Sequence, residues 1–235
     1  MAIDCYLAMT AAEIASAPSL PQKLGYMACH FSPYSTGLSN FPQLLPPGAM
    51  LLLTDRTPIR GHDPELIGSQ LSALIKADRC SSLLLDFQRG GCEETAQLVR
   101  HLTKVLPCPV AVSDTYGAEL DCPVLLPPSP PDTPLADHLA PWKGREIWLE
   151  LALDGLCITV TSGGSHFSPA PSDGSPLPFR DARLHCHYRT DISPDQAVFT
   201  LRRTPEDLAS LLEEAEELGA ALAVGLYQEL GMFRI

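Results

Sequence analysis

The amino-acid sequence predicts an α/β protein built as a closed (β/α)8 barrel of the TIM type. Three observations favour this fold. Short apolar runs alternate with helical patterns along the chain. The runs are continuously apolar, as in strands buried on both faces of a parallel sheet, and eight of them follow this rhythm. An open doubly wound sheet is the main alternative, although no G-x-G-x-x-G motif follows the first strand.

The first half of the chain contains the first four predicted strands, at residues 3–8, 24–31, 49–54 and 82–87. Thr10 and Glu13 have the spacing of a capping box, which predicts a helix after the first strand. Asp63 and Pro64 are residue types that begin a helix, and apolar residues then recur at helical spacing over 65–76. The same spacing predicts a further helix at 93–106.

The second half continues the alternation, with strands predicted at 109–113, 123–126, 146–153 and 221–227 and a short helix at 135–140. A long helix is expected to begin near Thr204 and to end at Gly219.

An antiparallel insertion is predicted between the seventh strand and this long helix. Asp154-Gly155 is a hairpin signal, so residues 156–161 are expected to fold back on the seventh strand. Residues 163–181 are expected to form a loop, and short strands are expected at 184–188 and 197–201. We therefore expect one barrel domain over residues 1–235, with residues 154–203 as an insertion within it.

Charge and composition argue against several classes of partner. The net charge of −12, from 28 acidic and 16 basic residues, disfavours a nucleic acid or an anionic membrane surface. The first residues lack the basic flank of a secretory signal, and no run approaches the roughly 20 apolar residues of a membrane span. The eight cysteines are scattered without a C-x-x-C motif. We expect a cytoplasmic protein with reduced thiols and without a cofactor.

Polar residues recur where the predicted strands end, which is the functional face of such a barrel. For any single one, contact with solvent is the simpler explanation. Together they suit a hydroxyl-rich ligand. The candidate catalytic residues are Asp55, Asp86 and Asp114, and the candidate ligand-binding residues are His30, Tyr34, Arg56, Gln88, Arg89, Tyr116, Tyr227 and Gln228.

The fourth predicted strand, Leu83-Leu84-Leu85-Asp86-Phe87-Gln88, resembles a known signature. In the family 18 glycoside hydrolases, the chitinase-like barrels, an apolar fourth strand ends in Asp-x-Asp-x-Glu. The insertion before the last helix and the apolar-aromatic ending at 224–227 are also similar to that family. The resemblance implies a (β/α)8 barrel, a small polar ligand or carbohydrate as partner, and a site around Asp86.

The departures from the signature concern the chemistry. In that family the glutamate is the general acid, and the aspartate two residues before it orients the substrate's acetamido group. Asp86 matches this aspartate, but Gln88 replaces the acid, and an amide has no proton to give near neutral pH. Leu84 replaces the earlier aspartate, and Tyr227 replaces a last-strand tryptophan. We therefore expect a glycan-binding barrel that lacks the chitinase-type cleavage mechanism.

Two further hypotheses stay open on the sequence. An active hydrolase would need a relocated carboxylate pair, drawn from Asp55, Asp86, Asp114 and Glu229, with both groups facing one cleft within about 5–10 Å. A metal site would use His185 and His187, which alternation places on one face of a strand. No third ligand lies nearby in sequence, so exposed or packed histidines are the simpler interpretation and no metal is predicted.

Overall fold

The structure is a computed structural model that describes residues 3–42, 45–56, 59–77, 80–153, 155–171 and 175–231. Its strands, in chain order, are β1 (Asp4–Met9), β2 (Leu24–Tyr26), β3 (His30–Phe31), β4 (Leu38–Ser39), β5 (Met50–Thr54), β6 (Ser82–Asp86), β7 (Val110–Ser113), β8 (Val124–Leu126), β9 (Ile147–Leu151), β10 (Gly155–Thr161), β11 (Gly164–Pro169), β12 (Phe179–Asp181), β13 (Cys186–Ile192), β14 (Gln196–Arg202) and β15 (Leu222–Leu226). Its helices are α1 (Ala11–Ser16), α2 (Pro64–Lys76), α3 (Glu93–Val105), α4 (Asp114–Gly117), α5 (Leu135–Leu139), α6 (Pro205–Glu217) and α7 (Tyr227–Leu230), with a 3₁₀ turn at Ala140–Trp142.

Eight parallel strands close into a barrel in the order β1, β2, β5, β6, β7, β8, β9 and β15, and β15 pairs back with β1. This topology confirms the predicted (β/α)8 barrel and rules out the open sheet, which would have two unpaired edges. The helical layer is irregular. The helices α2, α3 and α6 have 13 residues each, whereas α4 and α7 have only four.

Alternation along each barrel strand divides the core into an outer part and a lumen. Leu83 and Leu85 pack outward in a cluster that also contains Ile67 of α2 and Leu98 of α3, whereas Leu84 between them points into the lumen. The buried side chains that fill the lumen are Tyr6, Ala8, Met50, Leu52, Leu84, Ala111, Leu125, Trp148 and Val224. A filled lumen leaves the carboxyl ends of the strands as the place where a ligand can enter.

The predicted helix boundaries are confirmed where capping residues mark them. Thr10 and Glu13 form the expected capping box at α1, and the Asp63 side chain accepts hydrogen bonds from two backbone N–H groups at the start of α2. Gly219 follows α6 with a φ of 89°, a left-handed conformation that costs glycine little.

The second predicted strand, at 24–31, is wrong in its length. The barrel strand β2 ends at Tyr26, and His30–Phe31 form a separate strand that pairs antiparallel with Leu38–Ser39. The sequence stays apolar beyond Tyr26 although the barrel strand has ended. Cys29 and Phe31 are still buried there, because they pack in the outer cluster. An apolar run in the sequence therefore does not indicate where a barrel strand ends if the residues after it are also buried.

The insertion forms a five-stranded antiparallel sheet in the order β11, β10, β14, β13 and β12, between β9 and α6. The prediction of a loop over 163–181 is wrong, because β11 and β12 lie there as the two edge strands. Edge strands need only one partner and tolerate proline and polar residues, so their apolar pattern is weak. The pairing prediction is also wrong, since β10 pairs with β11 and β14. Asp154 of the hairpin signal lies outside the described residues.

The sheet is tied to the loop after β8 by Arg203, which is 7% exposed. Its guanidinium donates hydrogen bonds to the carbonyls of Ser129 and Pro130 in that loop and to those of Leu184 and His185 before β13. Each buried N–H group of an arginine must find an acceptor, so these carbonyls hold the proline-rich loop against the base of the sheet.

All eight cysteines are free thiols, and several are buried in apolar surroundings. Burial raises the pKa of Cys29 to about 12 and that of Cys5 to about 11. In the part of the chain that the structure describes, no helix is long and apolar enough to cross a membrane.

Candidate functional site

A small cavity opens at the carboxyl ends of the barrel strands, directly above the filled lumen. Its volume is about 110 Å³. Its polar lining residues are Thr54, Arg56, Asp86 and Glu150, and its apolar lining residues are Ala8, Met27, Leu52, Leu84, Leu125, Val224, Gly225 and Leu226. We call this space the mouth cavity. It combines two carboxylates, one guanidinium and one hydroxyl with an apolar floor.

Asp86 enters the mouth cavity because it follows Leu84 by two positions and so shares its inward direction. Burial raises the pKa of its carboxyl group, and the charge of Asp55 acts in the same direction. A hydrogen bond from Gln88 and the charge of Arg56 oppose this increase. Gln88 Nε2 donates to Asp86 Oδ1 at 2.5 Å, so the amide at the position of the family acid is engaged with the aspartate.

Glu150 is the site residue that the sequence interpretation missed. It follows Trp148, a lumen residue, by two positions on β9 and lines the mouth cavity together with Asp86. The strands β7 and β8 separate the two carboxylates around the barrel. The predicted strand ran to residue 153, so Glu150 was counted as a residue within the strand and not as one near its carboxyl end. A charged residue two places after an inward tryptophan was the available signal.

Asp55 lies near the mouth cavity but on the outer side of its strand. It is 7% exposed, and its Oδ2 accepts a hydrogen bond from the backbone N–H of Arg89 at 2.6 Å. Arg89 in turn donates from Nη2 to the carbonyl of Arg56 at 3.1 Å. These contacts hold the loops after β5 and β6 together. Asp55 and Arg89 line a separate outer cavity of about 740 Å³ that also borders the start of α3.

The four carboxylates of the relocated-pair hypothesis are not brought together. Asp86 lines the mouth cavity, whereas Asp55 faces the outer cavity. Asp114 begins α4, where its Oδ1 accepts from the backbone N–H of Thr115 at 2.8 Å. Glu229 lies on α7, where it accepts from the backbone N–H of Leu153 at 3.4 Å. Among the described residues, Asp86 and Glu150 are the two carboxylates that share the mouth cavity.

The aromatic and amide candidates are spread over several surfaces. Tyr34 is 96% exposed in the turn between β3 and β4. The Tyr116 hydroxyl donates to the carbonyl of Arg89, and the Tyr227 ring packs against the outer cluster. The structure places Leu226, one residue earlier, at the mouth cavity.

Two further predicted candidates are exposed, namely His30 and Gln228. The His30 ring lies 3.0 Å from the carbonyl of Ala28, and Gln228 lies on α7. Neither His30 nor Gln228 is among the described residues that line the mouth cavity.

His185 and His187 both bind carboxylates of α6. His185 contacts Glu214, and His187 Nδ1 lies 2.8 Å from Oδ2 of Asp207, which is fully buried. Within the described ranges, no group of three His, Cys, Asp or Glu side chains is placed to hold a metal ion. Through their contacts with Glu214 and Asp207, the two histidines connect β13 and the residue before it to α6.

No family model matches the sequence, and no curated protein matches it. Solved structures do match. A family 18 N-acetylglucosaminidase from Paenibacillus barengoltzii superposes with a TM-score of 0.62 at 9% identity, over 99% of this chain and 96% of that one. A chitinase-like agglutinin from Robinia pseudoacacia superposes with a TM-score of 0.59 at 12% identity, over 94% and 93% of the two chains.

A third similar structure is a variant of a family 18 chitinase from Cycas revoluta, solved in complex with (GlcNAc)4. It superposes with a TM-score of 0.57 at 13% identity, over 94% of each chain. At these identities the similarity shows a shared fold. The barrel has the architecture that the sequence resemblance implied, and its site chemistry must be argued from its own residues.

Proposed function

We propose that this barrel binds a glycan or a similar hydroxyl-rich ligand at its mouth cavity, without the chitinase-type cleavage mechanism. The observation that carries the proposal is the contact between Gln88 and Asp86. At the position where a family 18 enzyme needs an acid, this chain has an amide that holds the neighbouring aspartate. The pair can donate and accept hydrogen bonds, but Gln88 cannot protonate a leaving oxygen.

The size of the mouth cavity indicates how a ligand would sit. A volume of about 110 Å³ is well below the roughly 300–1,000 Å³ of a site that encloses a small molecule. The cavity suits one substituent of a sugar, such as a hydroxyl or acetamido group, while the ring stays above it. Asp86 and Glu150 would accept hydrogen bonds from that substituent, and Arg56 and Thr54 would donate them.

Two of the similar structures support binding as a function of this fold. The Cycas revoluta chitinase variant holds (GlcNAc)4 and carries a glutamate-to-glutamine substitution. The Robinia pseudoacacia protein is an agglutinin with a chitinase-like structure. The first is consistent with a barrel of this fold that holds a glycan after a glutamate has been replaced by glutamine, and the second with a chitinase-like barrel that agglutinates.

Isothermal titration with chitooligosaccharides and peptidoglycan fragments tests the proposal. We expect at least one member of the panel to bind. Asp86→Ala should weaken that binding by roughly 10- to 100-fold, which corresponds to the loss of a hydrogen bond to a charged group. Asp114→Ala is the matched control, because Asp114 lies outside the mouth cavity, and its affinity should be unchanged. Absence of binding across the whole panel would contradict the proposal.

An active hydrolase is the second candidate, because two carboxylates share the mouth cavity. Asp86, whose pKa is raised by burial, would be the acid, and Glu150 would be the second carboxylate. This function requires that the unaltered protein release reducing sugar from members of the same panel. It also requires that the Glu150→Gln variant no longer release reducing sugar. If cleavage appears only after Gln88→Glu, the unaltered chain is a binder whose acid alone was lost.

A further inference from the structure

A second cavity lies between the antiparallel sheet and the loop after β8. Its volume is about 240 Å³. Asp132 lines it from the loop, and the sheet with the turn before β13 contributes Ile158, Asp181, Leu184, Tyr188, Phe199 and Leu201. We call this space the sheet cavity. It shares no lining residue with the mouth cavity, so it is a separate candidate site.

The strand register brings the sheet residues of this cavity onto one face. Tyr188 pairs with Leu201 on β14 and with Phe179 on β12. Asp181 lies two positions after Phe179, so alternation turns its side chain to the same face. The rings of Tyr188 and Phe179 pack with their centroids 5.4 Å apart. The first carboxylate of the cavity therefore lies beside an aromatic wall.

The loop after β8 supplies the second carboxylate. The Cys186 thiol, which is opposite Asp181 in the register, donates to the carbonyl of Pro131 at 3.5 Å. Asp132 follows Pro131 in the chain. The contact between thiol and carbonyl thus holds the loop against the sheet and brings Asp132 to the cavity.

Both carboxylates have an oxygen left for a ligand. Asp181 Oδ1 accepts from the backbone N–H groups of Arg183 and Leu184, at 2.9 and 3.2 Å. Asp132 Oδ1 accepts from the Thr133 hydroxyl at 3.4 Å. Within the described ranges, Oδ2 of each carboxylate has no donor. An ionised carboxylate accepts several hydrogen bonds, so both groups retain capacity for a bound cation.

The charges around the base of the cavity act on the Cys186 thiol. Burial raises the pKa of this thiol to about 11. The charge of Arg203 opposes the rise, whereas the charges of Asp181, Asp207 and Asp132 add to it. The Arg203 guanidinium is turned to backbone carbonyls. None of the described residues that line the cavity carries a positive charge, so a ligand must compensate the two carboxylates.

We propose that the sheet cavity binds a small organic ammonium ion with an apolar body, of the arylalkylamine class. An ammonium group offers hydrogen-bond donors and a positive charge, which complement Asp132 and Asp181. Aromatic rings such as those of Tyr188 and Phe199 attract cations and bury apolar area. A cavity of roughly 150 Å³ holds benzene, so about 240 Å³ admits a ring with a short amine chain.

Other classes of ligand fit the cavity less well. The charges of Asp132 and Asp181 repel an anion. A neutral apolar molecule would remove both carboxylates from water without giving them a partner. A glycan needs several placed polar groups, and the Tyr188 hydroxyl is the polar side-chain group that the described lining residues offer besides the two carboxylates.

Isothermal titration of the full chain with 2-phenylethylamine at pH 7, where the amine is protonated, tests this inference. We expect a Kd between about 10 µM and about 1 mM, as for a ligand of this size. The neutral analogue 2-phenylethanol should bind more than about tenfold more weakly, since it lacks the charge. Ethylamine, which lacks the ring, should also bind more than about tenfold more weakly. The anion 3-phenylpropionate should not bind.

Variants of the two carboxylates assign the binding to the sheet cavity. Asp181→Asn and Asp132→Asn should each weaken binding of the amine about tenfold, because each removes one charge. Asparagine keeps an oxygen acceptor for the N–H groups that Asp181 holds, and circular dichroism can verify the fold. In the double variant, 2-phenylethylamine and 2-phenylethanol should bind equally. Asp191→Asn is the matched control, since it removes a 59% exposed carboxylate from the opposite face of β13, and it should not change the affinity.

Several results would overturn the inference. The unaltered protein could fail to bind 2-phenylethylamine, or it could bind 2-phenylethanol as tightly. An equal loss in Asp191→Asn would indicate a general attraction of cations to an acidic chain. A lysine tripeptide that binds more tightly than the amine and is weakened by Asp181→Asn would assign the cavity to a protein partner.

A glycan titration that is weakened by Asp181→Asn would assign the sheet cavity to the glycan and would also overturn the inference. Absence of glycan binding leaves the amine prediction unaffected, because the mouth cavity and the sheet cavity have no lining residue in common.

Discussion

Asp86 and Gln88 are a carboxylate and an amide that act on each other through one hydrogen bond. Burial makes the ionised form of Asp86 costly, and the Gln88 amide and Arg56 lower that cost. The sequence placed the two residues around the end of an apolar strand and indicated that Gln88 stands where the family has its acid. It did not indicate that Gln88 would turn back to Asp86, because two-residue spacing in a loop leaves side-chain direction open.

Asp86→Asn should stabilise the protein at neutral pH. The raised pKa means that ionised Asp86 favours the unfolded chain; its protonated form stabilises the fold below pH about 4, and that contribution is lost as pH rises through the folded pKa. Asparagine does not ionise and keeps the contribution. Urea unfolding from pH 3 to pH 8 should show a larger free energy of unfolding for the variant at pH 7, and convergence in acid.

The exposed Asp121→Asn is the control for this comparison. Its unfolding curve should follow that of the unaltered protein across the pH range. An Asp86→Asn variant that is less stable than the unaltered protein at pH 7 would show that the ionised carboxylate is stabilised by its neighbours instead.

At the scale of elements, α6 depends on contacts with the sheet that precedes it in the chain. Asp207 is fully buried and accepts hydrogen bonds from the backbone and hydroxyl of Thr204, from Arg180 and from His187. Burial would raise its pKa, but these hydrogen bonds outweigh burial and lower it. The start of this helix near Thr204 was predicted from the sequence, and the structure shows that Thr204 and Asp207 form a capping box there. The contribution of β12 and β13 was not predicted, because β12 was expected to be loop.

Asp207→Ala should destabilise the fold by about 2–4 kcal/mol, since it removes a helix cap and the partner of two cationic side chains. The lowered pKa means that ionised Asp207 stabilises the fold above pH about 4, and this contribution is lost as pH falls through the folded pKa. The difference between variant and unaltered protein should therefore shrink in acid. Urea unfolding at pH 7 and in acid measures both effects.

Asp191→Ala is the matched control for Asp207→Ala. Asp191 pairs with Arg189 on the same sheet, but its side chain is 59% exposed. Surface ion pairs contribute about 0–1 kcal/mol. Equal losses of unfolding free energy in the two variants would mean that the buried hydrogen bonds of Asp207 contribute no more to stability than a surface ion pair does.

At the scale of the whole molecule, closure of the barrel determines which residues at the strand ends can line the mouth cavity. Neighbouring strands bring their ends together in a ring, and alternation selects which end residues face the centre. Large side chains such as Trp148 and Met50 fill the lumen, so a ligand can approach only the uppermost layer. The mouth cavity is small for this reason. Truncation of a lumen side chain should therefore alter both the stability of the fold and the shape of the mouth cavity.

Leu84→Ala should reduce the free energy of unfolding by about 2–5 kcal/mol, the usual result of a cavity in a packed core. Leu84 is 1% exposed and forms part of the floor of the mouth cavity, so the change also deepens that cavity. Urea unfolding measures the loss. Leu66→Ala on α2, where the side chain is 39% exposed, is the control and should change stability by less than about 1 kcal/mol.

The sequence by itself determined the eight barrel strands, the caps of α1 and α2 and the end of α6, and the replacement of an acid by Gln88. These features depend on local pattern and residue chemistry, which a single segment contains. The tertiary structure decided that Glu150 joins Asp86 while Asp55 faces outward, and that the antiparallel sheet has five strands with exposed apolar side chains such as Phe167 and Ile192. Such features depend on where each strand ends and which strand lies beside it, because one position along a strand reverses the direction of a side chain.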